Sequence, residues 1–179
     1  DPLLWVDIGR LRYIGREHVL ALEASERALS AGPENPRAIE LRAQLLNEQA
    51  GPVAAIPLYE RGLRVAPDDL RLLSGYAAAL GEAGRAVEML RVVRRVNVLA
   101  PRSPMPLYFQ AVLAARAGKI DLAKNLMDHV GNRLKDVPAA TLLESALELE
   151  AGNSAIAVNA LERLDQQPFN QRVQLLYAK

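Results

Sequence analysis

Cysteine is absent from the 179 residues. Disulfides, thiolate metal sites and cysteine nucleophiles are therefore excluded. Aromatics are scarce, at 4%. Histidine is limited to His18 and His129, and neither has a second histidine at metal-ligand spacing. Neither sign of charge prevails, with 22 basic against 21 acidic residues and a formal net charge of +1. A nucleic-acid surface needs a clustered positive excess that such a balance does not supply. No apolar run approaches the roughly 20 residues that span a bilayer, and the alternating Val-Ile-Thr runs of strands are missing. No segment resembles a nucleophile elbow. The run Gly81-Glu82-Ala83-Gly84 lacks the lysine and hydroxyl residue of a phosphate loop, and reads as a turn between helices. The chain opens on Asp1-Pro2 without a methionine, which suggests a piece of a longer protein.

What the sequence has in quantity is alanine, leucine, glutamate and arginine, all good helix formers. Half of the residues are apolar, enough for a substantial core. The expected class is therefore all-α. A period then emerges. Turn glycines recur along the whole chain at Gly15, Gly51, Gly81, Gly118 and Gly152. Small residues follow each turn at Ala21, Ala55, Ala86, Ala123 and Ala157, with a mean step of about 34 positions, the length of a helical-hairpin repeat. Two helical turns further on come Ala28, Gly62, Val93, Val130 and Leu164, so the two sets share a face. Before each turn, a larger residue (Trp5, Ile39, Leu70, Leu107, Thr141) precedes a small one by four positions (Gly9, Ala43, Ser74, Ala111, Ser145). A knob beside a hole lets neighbouring helices approach closely. Prolines at Pro36, Pro67, Pro101, Pro138 and Pro168 punctuate the units, since proline stops a helix.

The pattern resembles tetratricopeptide (TPR) repeats of bacterial type, whose unit of about 34 residues runs W-x2-L-G-x2-Y…A-x3-F…A…P. Trp5-Val6-Asp7-Ile8-Gly9 fits its opening, Ala55-x3-Tyr59-x2-Gly62-x4-Pro67 its close, and Ala123-x3-Met127-x2-Val130 part of it. Departures are Ser25 in an aromatic slot, Arg42 and Glu144 in usually apolar slots, a shortened turn at Gly51-Pro52, and stretched second helices near Arg94–Ala100 and Gly131–Val137. The resemblance implies a right-handed α-solenoid of five helical hairpins over residues 3–32, 37–66, 70–100, 105–136 and 139–166, with a terminal helix over 169–178. The whole of 1–179 is then a single domain.

Stacked hairpins bury a continuous core that none can bury alone. In the family, the first helices line a concave wall that binds polypeptides, and the lining positions flank the small residue of each unit. Carried over, they nominate Arg10, Tyr13, Glu40, Gln44, Asn47, Arg71, Tyr108, Val112, Arg116, Leu149 and Glu150. The second unit's positions are polar. Those of the third to fifth are mostly small or apolar, which suggests an apolar floor ringed by Arg71, Arg116 and Glu150. The same apolar residues could equally pack against neighbouring first helices. The Lys-Asn-Lys carboxylate clamp of chaperone-binding members is not reproduced by Val6-Arg10-Ile14, Glu40-Gln44-Glu48 or Tyr108-Val112-Arg116.

The resemblance implies a non-catalytic scaffold or adaptor with a protein or peptide as partner. It implies no cofactor, metal, nucleic acid or small-molecule substrate. Alternatives are a docking arm for a catalytic domain elsewhere in a longer protein, and a structural module that self-associates through an exposed solenoid end. Arg91, Arg94 and Arg95 share a helix face at i, i+3 and i+4 spacing. The cluster reads as a solvated outer face partly neutralised by Glu88, or as an attractor of acidic partners or lipid. His129 is placed on the outer face of a second helix.

Overall fold

The structure, a computed structural model, describes residues 1–135 and 137–165. Among them are ten α-helices, one short 3₁₀ turn and no strand. The helices are α1 (Pro2–Ile14), α2 (His18–Ala31), α3 (Pro36–Ala50), α4 (Pro52–Val65), α5 (Leu70–Glu82), α6 (Ala86–Leu99), α7 (Met105–Arg116), α8 (Ile120–Val130), α9 (Pro138–Glu150) and α10 (Ser154–Asp165). Each odd helix packs on the even helix that follows it, which makes five hairpins. The expected terminal helix over 169–178 lies outside the described residues. The chain divides into two compact units, Asp1–Arg102 and Ser103–Lys179, where a single domain was expected.

In the first unit, the first helices start at side-chain caps. Asp1 accepts from the Leu3 amide, Asn35 from the amides of Arg37 and Ala38, and Asp69 from those of Arg71 and Leu72. These caps satisfy amides that have no partner within the helix. Pro2 and Pro36 follow two of them at the first helical position, where a missing N–H costs nothing. The core is built from small residues on second helices facing larger ones on first helices. One cluster gathers Ala21 and Ala28 of α2 with Val6, Ala38, Leu41 and Leu45. Gly9 is buried, and a Cβ there would meet a Leu41 methyl at 2.8 Å.

The third hairpin corrects the expected register. Ser74 is half-buried and Ala86 exposed, whereas Ala77 and Met89 are buried at 0% and 1% exposure. The small positions are therefore Gly9, Ala43, Ala77, Ala111 and Ser145, evenly spaced by one repeat. The turn glycine is Gly84, at φ +76, while Gly81 is buried inside α5. Gly118 and Gly152 occupy the same left-handed turn position, at φ +71 and +83. Arg16 takes it in the first hairpin at φ 63. With this register, the supposed stretching of α6 disappears, since α2, α4 and α6 all have 14 residues. The second hairpin has the short turn expected of it, with Gly51 alone joining α3 to α4.

Two departures from the repeat pattern answer one another. Ser25, buried and small, leaves room where an aromatic was expected, and its hydroxyl donates to the Leu22 carbonyl at 2.7 Å. Arg42 reaches into that region, with Nη1 3.4 Å from the Ser25 Oγ and Nη2 2.9 Å from Glu26 Oε1.

The second unit holds α7 to α10. The hydroxyl of Ser103 accepts from the Met105 amide, and α7 begins at Met105, where the fourth hairpin was expected to start. Ala111 and Ala123 are fully buried. α8 stops at Gly131 (φ +55) after 11 residues, and the chain continues as a 3₁₀ turn over Gly131–Leu134. The sequence suggested a stretched helix here. Glycine in a left-handed conformation ends the α-helical ladder.

Candidate functional site

In the first unit, α3 packs on both α1 and α5, so three first helices stand side by side. Polar residues cross from each helix to the next. Arg10 Nη2 of α1 lies 2.7 Å from Glu40 Oε2 of α3, and the Tyr13 hydroxyl donates to Glu48 Oε1 at 2.7 Å. Asn47 Nδ2 of α3 donates to Glu82 Oε2 of α5 at 3.0 Å. The result is a polar ladder across α1, α3 and α5. Asn47 Oδ1 is a buried acceptor with no hydrogen-bond partner among the described residues. Gln44 is half-buried in the same helix. Beneath the ladder, the phenol of Tyr59 in α4 is buried and resists ionisation, first because of desolvation and then because of Glu40, Glu82 and Glu48.

Of the nominated residues in this unit, Arg10, Tyr13, Glu40 and Asn47 are joined by the ladder, either to one another or through Glu48 and Glu82. Glu82 escaped the sequence reading because the third register was three positions off. With Ala77 as the small residue, the lining positions of that unit become Ser74, Ala78, Gly81 and Glu82. Arg71, an exposed residue at the start of α5, then falls outside the row.

The nominated residues of the second unit differ in exposure. Tyr108 is buried at 9% exposure, with its ring 5.4 Å from that of Phe109. Val112 is half-buried, and Arg116 and Glu150 are exposed. Leu149 is 46% exposed. The expected floor and its charged ring are thus divided, with Arg71 in the first unit and Arg116 and Glu150 in the second.

This arrangement of hairpins has known counterparts. No family profile matches the chain, and no curated protein matches it. Among solved structures it is similar to a thermophilic TPR protein from Thermus thermophilus, with a TM-score of 0.77 and 20% identity over 99% of this chain and 97% of that one. The chain has the TPR fold. A tetratricopeptide repeat protein from Parabacteroides merdae is similar at a TM-score of 0.69 and 16% identity, over 99% of this chain and 72% of its own. PilF of Pseudomonas aeruginosa is similar at 0.65 and 19%, over 98% and 80%.

Other charged groups of this TPR-fold chain brace its helices. The guanidinium of Arg95 bonds the Pro67 carbonyl and Asp68, and that of Arg61 bonds the Pro33 carbonyl. The two arginines sit one repeat apart, and each ties a second helix to the loop before its hairpin. Arg95 is exposed, as expected of a solvated outer face, and it also braces that loop. Arg85 and Glu88 pair at 2.6 Å, which raises the arginine and lowers the carboxyl. His129 is exposed, with Nδ1 2.7 Å from the Asn125 carbonyl oxygen. His18 meets Tyr13 edge-on at 5.7 Å between ring centroids. Among the described residues, no group of three His, Cys, Asp or Glu side chains could hold a metal, and no helix is long and apolar enough to cross a membrane.

Proposed function

We propose that this chain is a non-catalytic scaffold that binds a protein or peptide along its first helices. The polar ladder of Arg10, Glu40, Tyr13, Glu48, Asn47 and Glu82 carries the reading. It fixes long side chains from three successive helices on one wall before any partner arrives. Pre-ordered groups lose less entropy on binding. In the second unit, Val112, Arg116, Leu149 and Glu150 belong to the corresponding positions. There Tyr108 acts as wall and not as a projecting anchor.

Photo-crosslinking tests this. A benzophenone amino acid at Gln44 or Leu149 should give polypeptide adducts in an extract of the source cell. The same group at Glu23 or Leu122, exposed on second helices, should not. Adducts arising only from the second-helix positions would overturn the proposal.

One observation favours a second reading, self-association. Leu4 and Leu11 of α1 are 58% and 69% exposed, yet Ala38 and Leu45, their equivalents one repeat later, are buried at 0% and 4%. The face that α3 buries against the first hairpin is open on α1. A second copy packed on Leu4 and Leu11 would bury that face. Concentration-dependent light scattering that vanishes in a Leu4→Glu/Leu11→Glu variant would support this reading, and a concentration-independent monomer mass would exclude it.

A further inference from the structure

The second helices of the first unit match one another in length and placement. α2, α4 and α6 each have 14 residues and start one repeat apart, at His18, Pro52 and Ala86. They bury equivalent positions: Ala21, Ala55 and Met89, then Ser25, Tyr59 and Val93. The opposite stripe, at i, i+4 and i+7, is therefore equivalent too. It reads Val19-Glu23-Glu26 on α2, Val53-Pro57-Glu60 on α4 and Val87-Arg91-Arg94 on α6. The valines are 70%, 75% and 66% exposed, so the unit's own core makes little use of them.

Charge on this stripe reverses along the unit, from acidic on α2 to basic on α6. Glu23, Arg91 and Arg94 are exposed. Glu23 and Arg94 have no hydrogen bond or ion pair with another described residue. Arg91 lies near Glu88, whose two oxygens are already bound by Arg85. Glu26 is held by Arg42 and Glu60 by the Tyr76 hydroxyl, which leaves Glu23 as the carboxylate for a partner. The arginines beside the stripe are committed as well. Arg27 stacks over Trp5, Arg61 binds the Pro33 carbonyl and Arg95 binds Asp68.

We propose that this face binds a second copy of the chain about a two-fold axis running along α4. Such an axis keeps helix directions and exchanges the outer helices, so α2 lies over the partner's α6. Position then meets position. Val19 meets the partner's Val87, Glu23 meets the partner's Arg91, and Val53 and Pro57 meet their own copies on the axis. Each off-axis contact occurs twice, and the interface closes on itself. A two-fold axis across the helices would instead set α2 on α2, with Glu23 against Glu26, and α6 on α6, with Arg91 against Arg94. Charge complementarity thus selects both the partner and the axis. Arg64, near the end of α4, meets its like on the axis, and Glu60 one turn away on each copy offsets it. Leu4 and Leu11 belong to a first helix and take no part.

Sedimentation velocity of the whole chain over a concentration series tests the proposal. The unaltered protein should dimerise. Glu23→Arg and Arg91→Glu each set like charges together twice, and each should weaken the dimer at least about tenfold. An equimolar mixture of the two variants should recover it, because each altered position then faces the opposite charge. The double variant Glu23→Arg/Arg91→Glu should recover it for the same reason. Circular dichroism checks that each variant folds. The chain has no cysteine, so single thiols report the axis: Val53→Cys should oxidise to a linked dimer, whereas Val19→Cys should link only to Val87→Cys. The proposal is overturned by a monomer at every concentration, by a mixture that stays monomeric, or by Val19→Cys linking to itself as readily as Val53→Cys. A dimer lost in Leu4→Glu/Leu11→Glu but kept in both charge variants also overturns it. A benzophenone in place of Glu23 removes the carboxylate on which this contact depends, so that position remains a silent control for the first-helix wall.

Discussion

At the scale of single residues, the repeat keeps its volume by exchange. Gly75 lies against Tyr59, and a Cβ there would come within 2.6 Å of the ring. The equivalent positions one repeat earlier hold Leu41 and Ser25, large where Gly75 is small and small where Tyr59 is large. Gly75→Leu should therefore cost about 3 kcal/mol by overpacking. The pair Tyr59→Ser/Gly75→Leu should cost at least about 1 kcal/mol less than the sum of the single changes. Denaturant melts of the four proteins measure it, and strict additivity would contradict the packing described. Tyr76 makes a separate test. Its hydroxyl donates to Glu60 at 3.0 Å, and desolvation, then that bond, push its pKa from 10.0 to about 12. The fold thus stabilises the neutral phenol. That contribution is complete below pH 10 and fades as pH rises towards 12. A tyrosinate absorbance titration should show a component near pH 12 that Tyr76→Phe removes, together with part of the alkaline loss of stability.

At the scale of elements, starts are set by capping side chains. Asp1, Asn35, Asp69 and Ser103 stand one repeat apart, and each accepts from an amide two positions on. Asn35→Ala and Asp69→Ala should each cost about 1 kcal/mol, read as a lowered urea midpoint. The fifth unit has Val137 at this place, which cannot cap. This beat also shows what the sequence made legible. Hairpins, turns and linkers were readable because proline, glycine and alanine carry strong local constraints, and apart from the early end of α8 the hairpin limits fall within a few positions of those expected. The third register was not, because Gly81 and Gly84 both look like turn residues. Only burial shows that Gly81 packs against Met89, whose sulfur would lie 2.8 Å from an added Cβ. Following the caps would have chosen Gly84, since Asp69 fixes the start of that unit. The polar ladder was half legible. Its positions follow from the repeat, but the partners of Arg10, Tyr13 and Asn47 depend on side-chain reach across helices, which no spacing rule encodes.

At the scale of the whole molecule, the described helices within each unit pack chiefly on their neighbours in sequence. Such local topology folds quickly, because little loop entropy is lost before contacts form. Stopped-flow refolding should show a main phase finished within about milliseconds; a main phase lasting seconds would conflict with the packing described. The arginine braces extend the same economy: Arg61 and Arg95 reach back to Pro33 and Pro67, so each loop is fastened by the hairpin after it. The second hairpin alone has no slack. Gly51, at φ +84, is its entire connection, and only glycine adopts that geometry without strain. Added length at the Gly84, Gly118 or Gly152 turns would swell an existing bend, whereas at Gly51 it would slide α4 along α3 and draw Tyr59 from its place beneath the ladder. Loop grafting, tagging and circular permutation thus have three open doors in this chain and one that must stay shut.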